Sequence, residues 1–375
     1  MILILAAFVS LIDRSVMPPL VPVIADDFDV PVDAVGQSLT VYAVAYAAFQ
    51  LVWSTLAARY GRVRILVVST ALGGSANLAT AFAQDAMYYS VIRAIAAAAF
   101  AATITTVLIY YGETLTLAQR AVATANLAAA IAVGMAAGTV GAGAIAQWLG
   151  WRWTYVVVAA FSFALVLGLR RLRETADAPV ERLGPSLRRL ARNRWALAIL
   201  VFTVIEGVLL IGVFNYFAVA LQETGATVLA AGVATAAFGA SVVIVSQLMK
   251  LILGRWPAWV LMLLAGVAIV GAYIAVALDI SLTTVLTAAI LLGLAWALGH
   301  TTMQTWMTDA AADSRAVGMS FFSIALFVGA SIGAAVGNVA AGTHRFDALF
   351  VLTLVVAAVY AVATSVARAR YVLRE

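Results

Sequence analysis

The sequence predicts an all-α membrane protein of twelve transmembrane helices arranged as two parallel six-helix repeats. Three observations carry that expectation: an apolar excess that no water-facing surface could hold, long unbroken apolar runs, and features that recur 193 to 195 residues apart. Hydrophobic residues make up 65% of the chain and charged residues 10%, against about 45–50% and about 25% in soluble domains. In hydrocarbon every backbone polar group must be paired within the chain, so a span is either a helix of about 20 apolar residues or a strand of a closed barrel. Barrel strands read as short alternating segments; the runs here are long and continuous.

Apolar runs bounded by charges, glycine or proline fall near residues 1–25, 34–57, 63–83, 86–110, 121–146, 152–171, 196–220, 227–249, 258–278, 281–306, 316–342 and 346–368. Residues 1–12 resemble the apolar part of a signal peptide, but they lack a basic start and a small-residue cleavage site and run on through Asp13. They are taken as the first span, and a longer native N-terminus is left open. The one long polar interval, 172–195, contains Pro179 and Pro185 and serves as a linker between bundles 1–171 and 196–375.

Orientation follows from the basic residues, which cytoplasmic loops carry in excess. Arg59, Arg62, Arg64, Arg120, the cluster from Arg170 to Arg194, Lys250, Arg255, Arg315, Arg368, Arg370 and Arg374 fall on one side, against Arg152 and Arg345 on the other. Both termini are therefore expected in the cytoplasm, the setting being the inner (cell) membrane of a bacterium or archaeon. The net charge of +5 does not point to nucleic acid, because the arginines sit between hydrophobic segments rather than on a soluble face.

Arg120 to Val122 recurs as Arg315 to Val317, and Gly134 and Gly138 recur as Gly329 and Gly333, all at an offset of 195; Gly61-Arg62 matches Gly254-Arg255 at 193. Six spans per half is an even number, so the halves share one orientation and form parallel repeats, with a solute site expected near the midplane between them.

Four stretches resemble the major facilitator superfamily, and the resemblance covers essentially the whole chain. Ser54 to Arg64 is similar to the family's G-x-L-a-D-R-x-G-R-[KR] motif at Leu56, Arg59, Gly61 and Arg62; Ser54 replaces its glycine and Ala58 its aspartate. Arg93 in the fourth span resembles the membrane-embedded arginine motif, with Ala97 where a glycine is usual. Gly134, Gly138, Gly141 and Gly143 resemble the antiporter motif of export branches, with Thr139 in place of proline, and are followed by a W-R-W turn at Trp151 to Trp153. Asp13 and Arg14 in the first span and Glu206 in the seventh complete the set, for in this superfamily those two helices line the cavity and acids there bind protons and cations.

The resemblance implies a gating role for Arg59, Gly61, Arg62, Gly134 and Gly138, and proton coupling through Asp13, Glu206, Arg93 and Arg14. The physics of buried charge agrees. An arginine deep in a span costs roughly 2.5–3.5 kcal/mol on insertion scales and seeks a cavity or a partner. Desolvation favours the neutral form of a carboxylic acid and a nearby arginine the charged form, so rearranging a pair of Asp13 with Arg93 or Arg14 would switch the acid. Asp13 and Glu206 stand 193 residues apart, at equivalent depths of the repeat.

Polar and aromatic residues within spans complete a candidate cavity: Tyr42, Tyr46, Gln50, Asn126, Asn215, Trp296 and His300, with Asn77 and Gln304 as further polar residues inside spans. Tyr42, Tyr46 and Gln50 lie four apart, on one helix face. Glycines four apart permit close helix approach, which would suit an interface on which the halves rock. The absence of cysteine excludes disulfides and thiolate chemistry. Two histidines far apart and no H-x-x-x-H pattern argue against an enzyme, a metal site or a cofactor.

The expected function is proton-coupled efflux of small amphipathic or cationic organic compounds by an antiporter working through alternating access, with substrate, protons and lipid as its partners and a monomer as its state. Symport or uniport of a nutrient is the rival within the class. A non-transporting receptor or scaffold is the rival outside it.

Overall fold

The computed structural model describes residues 1–174, 183–252 and 256–371. Pro179, Arg182, Gly254, Arg255 and Arg374 lie outside the described residues, as does 175–182 of the expected linker.

The described chain is helical throughout, and proline, glycine and capping residues set the breaks. The first span is two helices, α1 (Ile2–Ser15) and α2 (Met17–Phe28), bent by 42°. Pro18 and Pro19 supply no backbone N–H, so the turn before them cannot be bonded through. Asp29, at φ 53°, ends α2. Next come α3 (Val32–Tyr60), begun at Pro31, and α4 (Arg62–Thr80). Then follow α5 (Ala86–Phe100), capped by Asp85, and α6 (Thr103–Thr114). A Thr116–Gln119 capping box opens α7 (Leu117–Leu149), and Gly150, at φ 94°, separates it from α8 (Trp151–Leu169).

The second set starts with the polar helix α9 (Leu183–Arg192). Asn193 accepts from the N–H groups of Trp195 and Ala196 and so caps α10 (Arg194–Gly207). A π-helical turn (Val208–Gly212) and a 3₁₀ turn (Phe214–Tyr216) then lead to α11 (Phe217–Glu223). Beyond them lie α12 (Val228–Ile252), α13 (Ala258–Leu278) and α14 (Leu282–Ala295). A second π-helical turn (Trp296–His300) joins α14 to α15 (Thr301–Ala310), and α16 (Arg315–Thr343) and α17 (Phe346–Arg370) close the chain.

Among the described residues eleven helical stretches are long and apolar enough to cross a membrane, twelve with the bent pair α1–α2. Large apolar side chains stay exposed on them: Phe161 at 57%, Leu278 at 81% and Val359 at 66%. Such an exterior needs hydrocarbon around it, and the chain is an integral membrane protein.

The helices group into two compact units, Met1–Val180 with Thr227–Ala236, and Glu181–Ala226 with Ala237–Glu375. Inside the first unit α1 packs on α7, α3 on α5 and α4 on α8. Inside the second, α10 packs on α16 and α13 on α17, and α12 meets α14 where Ser241 donates to the Ile290 carbonyl at 2.7 Å. Each unit therefore pairs its first span with its fifth, its second with its fourth and its third with its sixth.

Glycine makes the first-to-fifth contacts close. A Cβ on Gly134 would lie 2.8 Å from the Phe8 carbonyl, and one on Gly138 2.9 Å from Ser15 Cβ. In the second unit the counterparts Gly329 and Gly333 press on Val204 and Val208. The expectation that these glycines form a surface between halves needs correction: Gly134 and Gly138 are spent within the first unit, on the helix that carries Asp13. Gly143 differs, abutting Leu229 in the first turn of α12.

Candidate functional site: two buried acids and an arginine turn

In the first unit, Asp13 comes from α1 just before the proline bend and is fully buried with Arg93 of α5. Arg93 Nη1 lies 2.9 Å from Asp13 Oδ1 and also donates to Asn77 Oδ1 at 2.9 Å; Nη2 donates to the Asp13 carbonyl at 2.9 Å. The second carboxylate oxygen accepts from Tyr42 at 2.8 Å. The guanidinium carbon sits 5.3 Å from the Tyr42 ring and 5.0 Å from the Tyr155 ring, and Tyr155 shares a 2.6 Å hydrogen bond with Tyr89. Five spans thus converge on one ion pair, and both Asp13 oxygens are engaged. Of the two expected partners the structure brings Asp13 to Arg93. Arg14 points to Met135 Sδ at 3.8 Å.

In the second unit, Glu206 is the penultimate residue of α10 and 1% exposed. Its Oε2 lies 3.0 Å from His300 Nδ1, and its Oε1 is buried with no hydrogen-bond partner. His300 Nε2 lies 3.0 Å from Gln304 Nε2. A neutral ring with its proton on Nδ1 satisfies both contacts, donating to the carboxylate and accepting from the amide. Trp296 stacks on the ring at 4.0 Å, one helical turn away, and Phe322 stands 5.3 Å off.

Both members of this pair border π-helical turns, Glu206 just before Val208–Gly212 and His300 at the end of Trp296–His300. A π-turn shifts the following side chains around the helix, and such turns concentrate at functional sites. The Leu209 carbonyl inside the first turn is held by the Tyr273 hydroxyl. Gly207 and Gly212 let the distorted segment lie against the α16 backbone.

The third feature is the turn between α3 and α4. Gly61 has φ 99° and ψ 149°, a conformation nearly restricted to glycine. Arg62 is 7% exposed and paired with Glu113 of α6 at 2.9 Å. Glu174, just beyond α8, accepts from the N–H groups of Val63 and Arg64 at 2.9 and 3.0 Å, capping α4. Its carboxylate occupies the space a Gly61 Cβ would need. The acid missing from Ala58 is thus matched by two carboxylates from elsewhere in the same unit. Arg59 is exposed and lies over the Tyr60 ring.

The remaining expected cavity residues divide. Tyr46 stacks on Tyr42 with ring centres 6.3 Å apart, and Gln50 is buried one turn further on. Asn215 lies half-buried in the 3₁₀ turn, whereas Asn126 is exposed and joins neither acid centre. Sequence reasoning missed Tyr89, Tyr155, Glu113 and Glu174. Tyr155 stands two residues beyond the W-R-W turn at Trp151 to Trp153; the two glutamates had no signal, being single acids at helix ends. Among the described residues no group of three or more His, Asp or Glu could hold a metal ion.

Comparison with known proteins places this architecture. The curated efflux pump apf11 of Gibberella fujikuroi is 30% identical over 184 residues, 48% of this chain and 33% of that protein. Efflux pump aflT of Aspergillus parasiticus is 25% identical over 178 residues, 47% of this chain and 34% of that protein. The matched part spans about a third of the length of these relatives. A bacterial homolog of the human lysosomal transporter Spinster shares the fold with TM-score 0.78 at 18% identity, covering 98% of this chain and 96% of that one. The nucleoside transporter NupG does so with TM-score 0.77 at 15% identity, covering 99% and 98%. The description of the Major Facilitator Superfamily matches residues 3–334, nearly the whole chain. The chain belongs to the Major Facilitator Superfamily.

Proposed function

We propose that this protein is a membrane transporter that exports small amphipathic or cationic organic compounds in exchange for protons, by alternating access, with Glu206 as the proton site. The observation that carries the proposal is the unpartnered Oε1 of Glu206 beside an engaged Oε2. A buried carboxylate with one oxygen free is poised to take a proton or meet a cationic group, because leaving it bare is costly. Taking up a proton would weaken the contact with His300, and Gln304 continues the chain of polar groups toward the arginine-rich end of span ten.

Asp13 takes the opposite part. With both oxygens engaged and Arg93 wholly buried against it, the pair holds five spans in register, and Arg14 stands outside it. Tyr42, Tyr46 and Gln50 of the first unit and Trp296 of the second are the substrate-contacting residues in this reading. Export is supported by the names of the fungal relatives, two of them efflux pumps. The arginine-rich ends face the cytoplasm in this proposal, and the monomer is the working unit.

The test is substrate-driven proton movement in proteoliposomes of purified protein, with lipophilic cations and neutral drugs added under an imposed proton gradient. Proton release on substrate addition, lost in Glu206→Gln and kept in a fully folded Asn126→Ala control, supports antiport. Accumulation of substrate down an inward proton gradient would replace export with uptake.

A further inference from the structure

A cavity of about 530 Å³ opens in the second unit where α9, the start of α10 and the α15–α16 turn meet. Arg189, Arg192 and Arg194 line it, with Asp313 as the single acid. Arg189 commits one amino group to the Asp313 carbonyl at 3.2 Å, while Arg192 and Arg194 donate no hydrogen bond among the described residues. The other lining residues include Asn193 and Ser314, which are the N-caps of α10 and α16, and the Ser314 hydroxyl makes no capping bond. Two long helices thus start at a cavity that already holds three guanidinium groups. Helix N-termini and arginine forks both favour phosphate oxygens.

The arginine face is positioned rather than loose. On α9 the side chains of Ser186 and Leu190 are 4% exposed, and Leu190 packs into the cluster of Trp306, Met307, Val317 and Tyr371. That docking turns Arg188, Arg189 and Arg192 outward. The cavity volume falls in the range of about 300–1,000 Å³ that accommodates whole small molecules, more room than one ion needs.

Below the arginines the surface turns apolar. Arg194, Leu197 and Val201 follow one another at helical spacing on one face of α10, all exposed, with Leu197 at 43% and Val201 at 58%. This helix opens the membrane span Arg194–Glu223. Charge at the span's end and an exposed apolar stripe beneath it match a molecule with an anionic head and hydrocarbon tails. Partly buried Trp195 stands at the same level, where an aromatic ring suits the membrane–water boundary.

We propose that this cavity binds the phosphate headgroup of an anionic phospholipid on the arginine-rich face of the membrane, with the acyl chains along Leu197 and Val201. The site is separate from Glu206 and owes nothing to the transport proposal. Bound lipid would brace α9, and with it the arginine-rich end of the second unit.

Binding is measured on purified detergent-solubilised full-length protein, by native mass spectrometry and by the shift in melting temperature on adding phosphatidylglycerol, phosphatidylcholine or inorganic phosphate. Phosphatidylglycerol alone is expected to bind and raise the melting temperature. The variant Arg189→Gln/Arg192→Gln/Arg194→Gln should lose at least about tenfold in affinity, since each basic group near an anionic surface contributes measurably. Arg170→Gln/Arg171→Gln, changing two exposed arginines of the first unit, should bind like the wild type. If the triple variant does not fold, Arg192→Glu carries the test, because it reverses one exposed charge and should weaken binding several-fold, by about the same per-charge effect. Equal binding of phosphatidylglycerol by the variants overturns the proposal. So does equal stabilisation by phosphatidylcholine, or an equal shift from inorganic phosphate alone, which would make the cavity a site for soluble phosphate.

Discussion

The two buried acids differ in how their oxygens are occupied, and that difference decides what each can do. Asp13 spends both oxygens, on Arg93 and Tyr42. Asp13→Asn would leave Arg93 charged and uncompensated in a dry site, at a cost of about 3–5 kcal/mol. A large fall in detergent melting temperature or in folded yield is the expected result; a fully stable Asp13→Asn would show that the pair does not hold the bundle. Glu206 spends one oxygen, on His300. Glu206→Gln removes a buried charge and retains a group that can accept from Nδ1, so the melting temperature should hold or rise while proton-driven flux is lost. His300→Phe removes the donor but keeps a ring on Trp296, and should leave the protein folded with flux that no longer responds to pH. Normal pH dependence in that variant would exclude the histidine from proton movement.

At the scale of the element, glycine decides how closely helices approach. Gly138 faces Ile12 and Ser15, and Gly333 faces Val208 and Gly212 at the first π-helical turn. A valine at Gly138 should push α7 off α1 and disturb Asp13 from outside the ion pair. Overpacking of this kind costs typically about 1–3 kcal/mol, readable as a lower melting temperature. Gly61→Ala meets two obstacles, a backbone conformation costing about 1–3 kcal/mol for a side chain and the Glu174 carboxylate in the space required. Pairing it with Glu174→Ala tests the second obstacle: the double variant should lose less than the sum of the two single losses. Strict additivity would mean that the carboxylate yields freely.

At these scales the sequence was readable unevenly. Spans of about twenty apolar residues declare themselves one window at a time, and so does a lone Arg93 or Glu206 within them. The bend after Ser15 was signalled by Pro18 and Pro19, yet residues 1–25 still read as one run, because hydropathy does not register direction. The π-helical turns at Val208–Gly212 and Trp296–His300, which pack against α16 and α13, left no mark in composition. The Glu206–His300 pair joins residues 94 apart, and a single sequence holds no measure of such distances. Helix-end carboxylates such as Glu113 and Glu174 look like ordinary loop charges until the fold shows which N–H groups they meet.

For the whole molecule the controlling quantity is which membrane face each charge cluster occupies, and a chain without cysteine makes that measurable. Arginines outnumber acids at one set of helix ends, including the exposed Arg188 on α9, while Asp26 and Asp27 lie exposed at the far end of α2. Basic residues next to spans are retained on the cytoplasmic side during insertion, whereas acidic residues weigh little. Single cysteines introduced as Arg188→Cys and Asp26→Cys should therefore react with a membrane-impermeant maleimide from opposite sides of intact cells. Asp26→Cys should label at once, and Arg188→Cys only after the membrane is opened. Reversed labelling would place the arginine-rich ends outside, and with them the headgroup cavity at Arg189, Arg192 and Arg194. The polar chain from Glu206 through His300 to Gln304 would then run toward the exterior, and protons and substrate would move in the sense opposite to export. Labelling from the expected sides leaves the anionic inner leaflet facing those arginines, the arrangement in which their positive charge does the most to hold lipid.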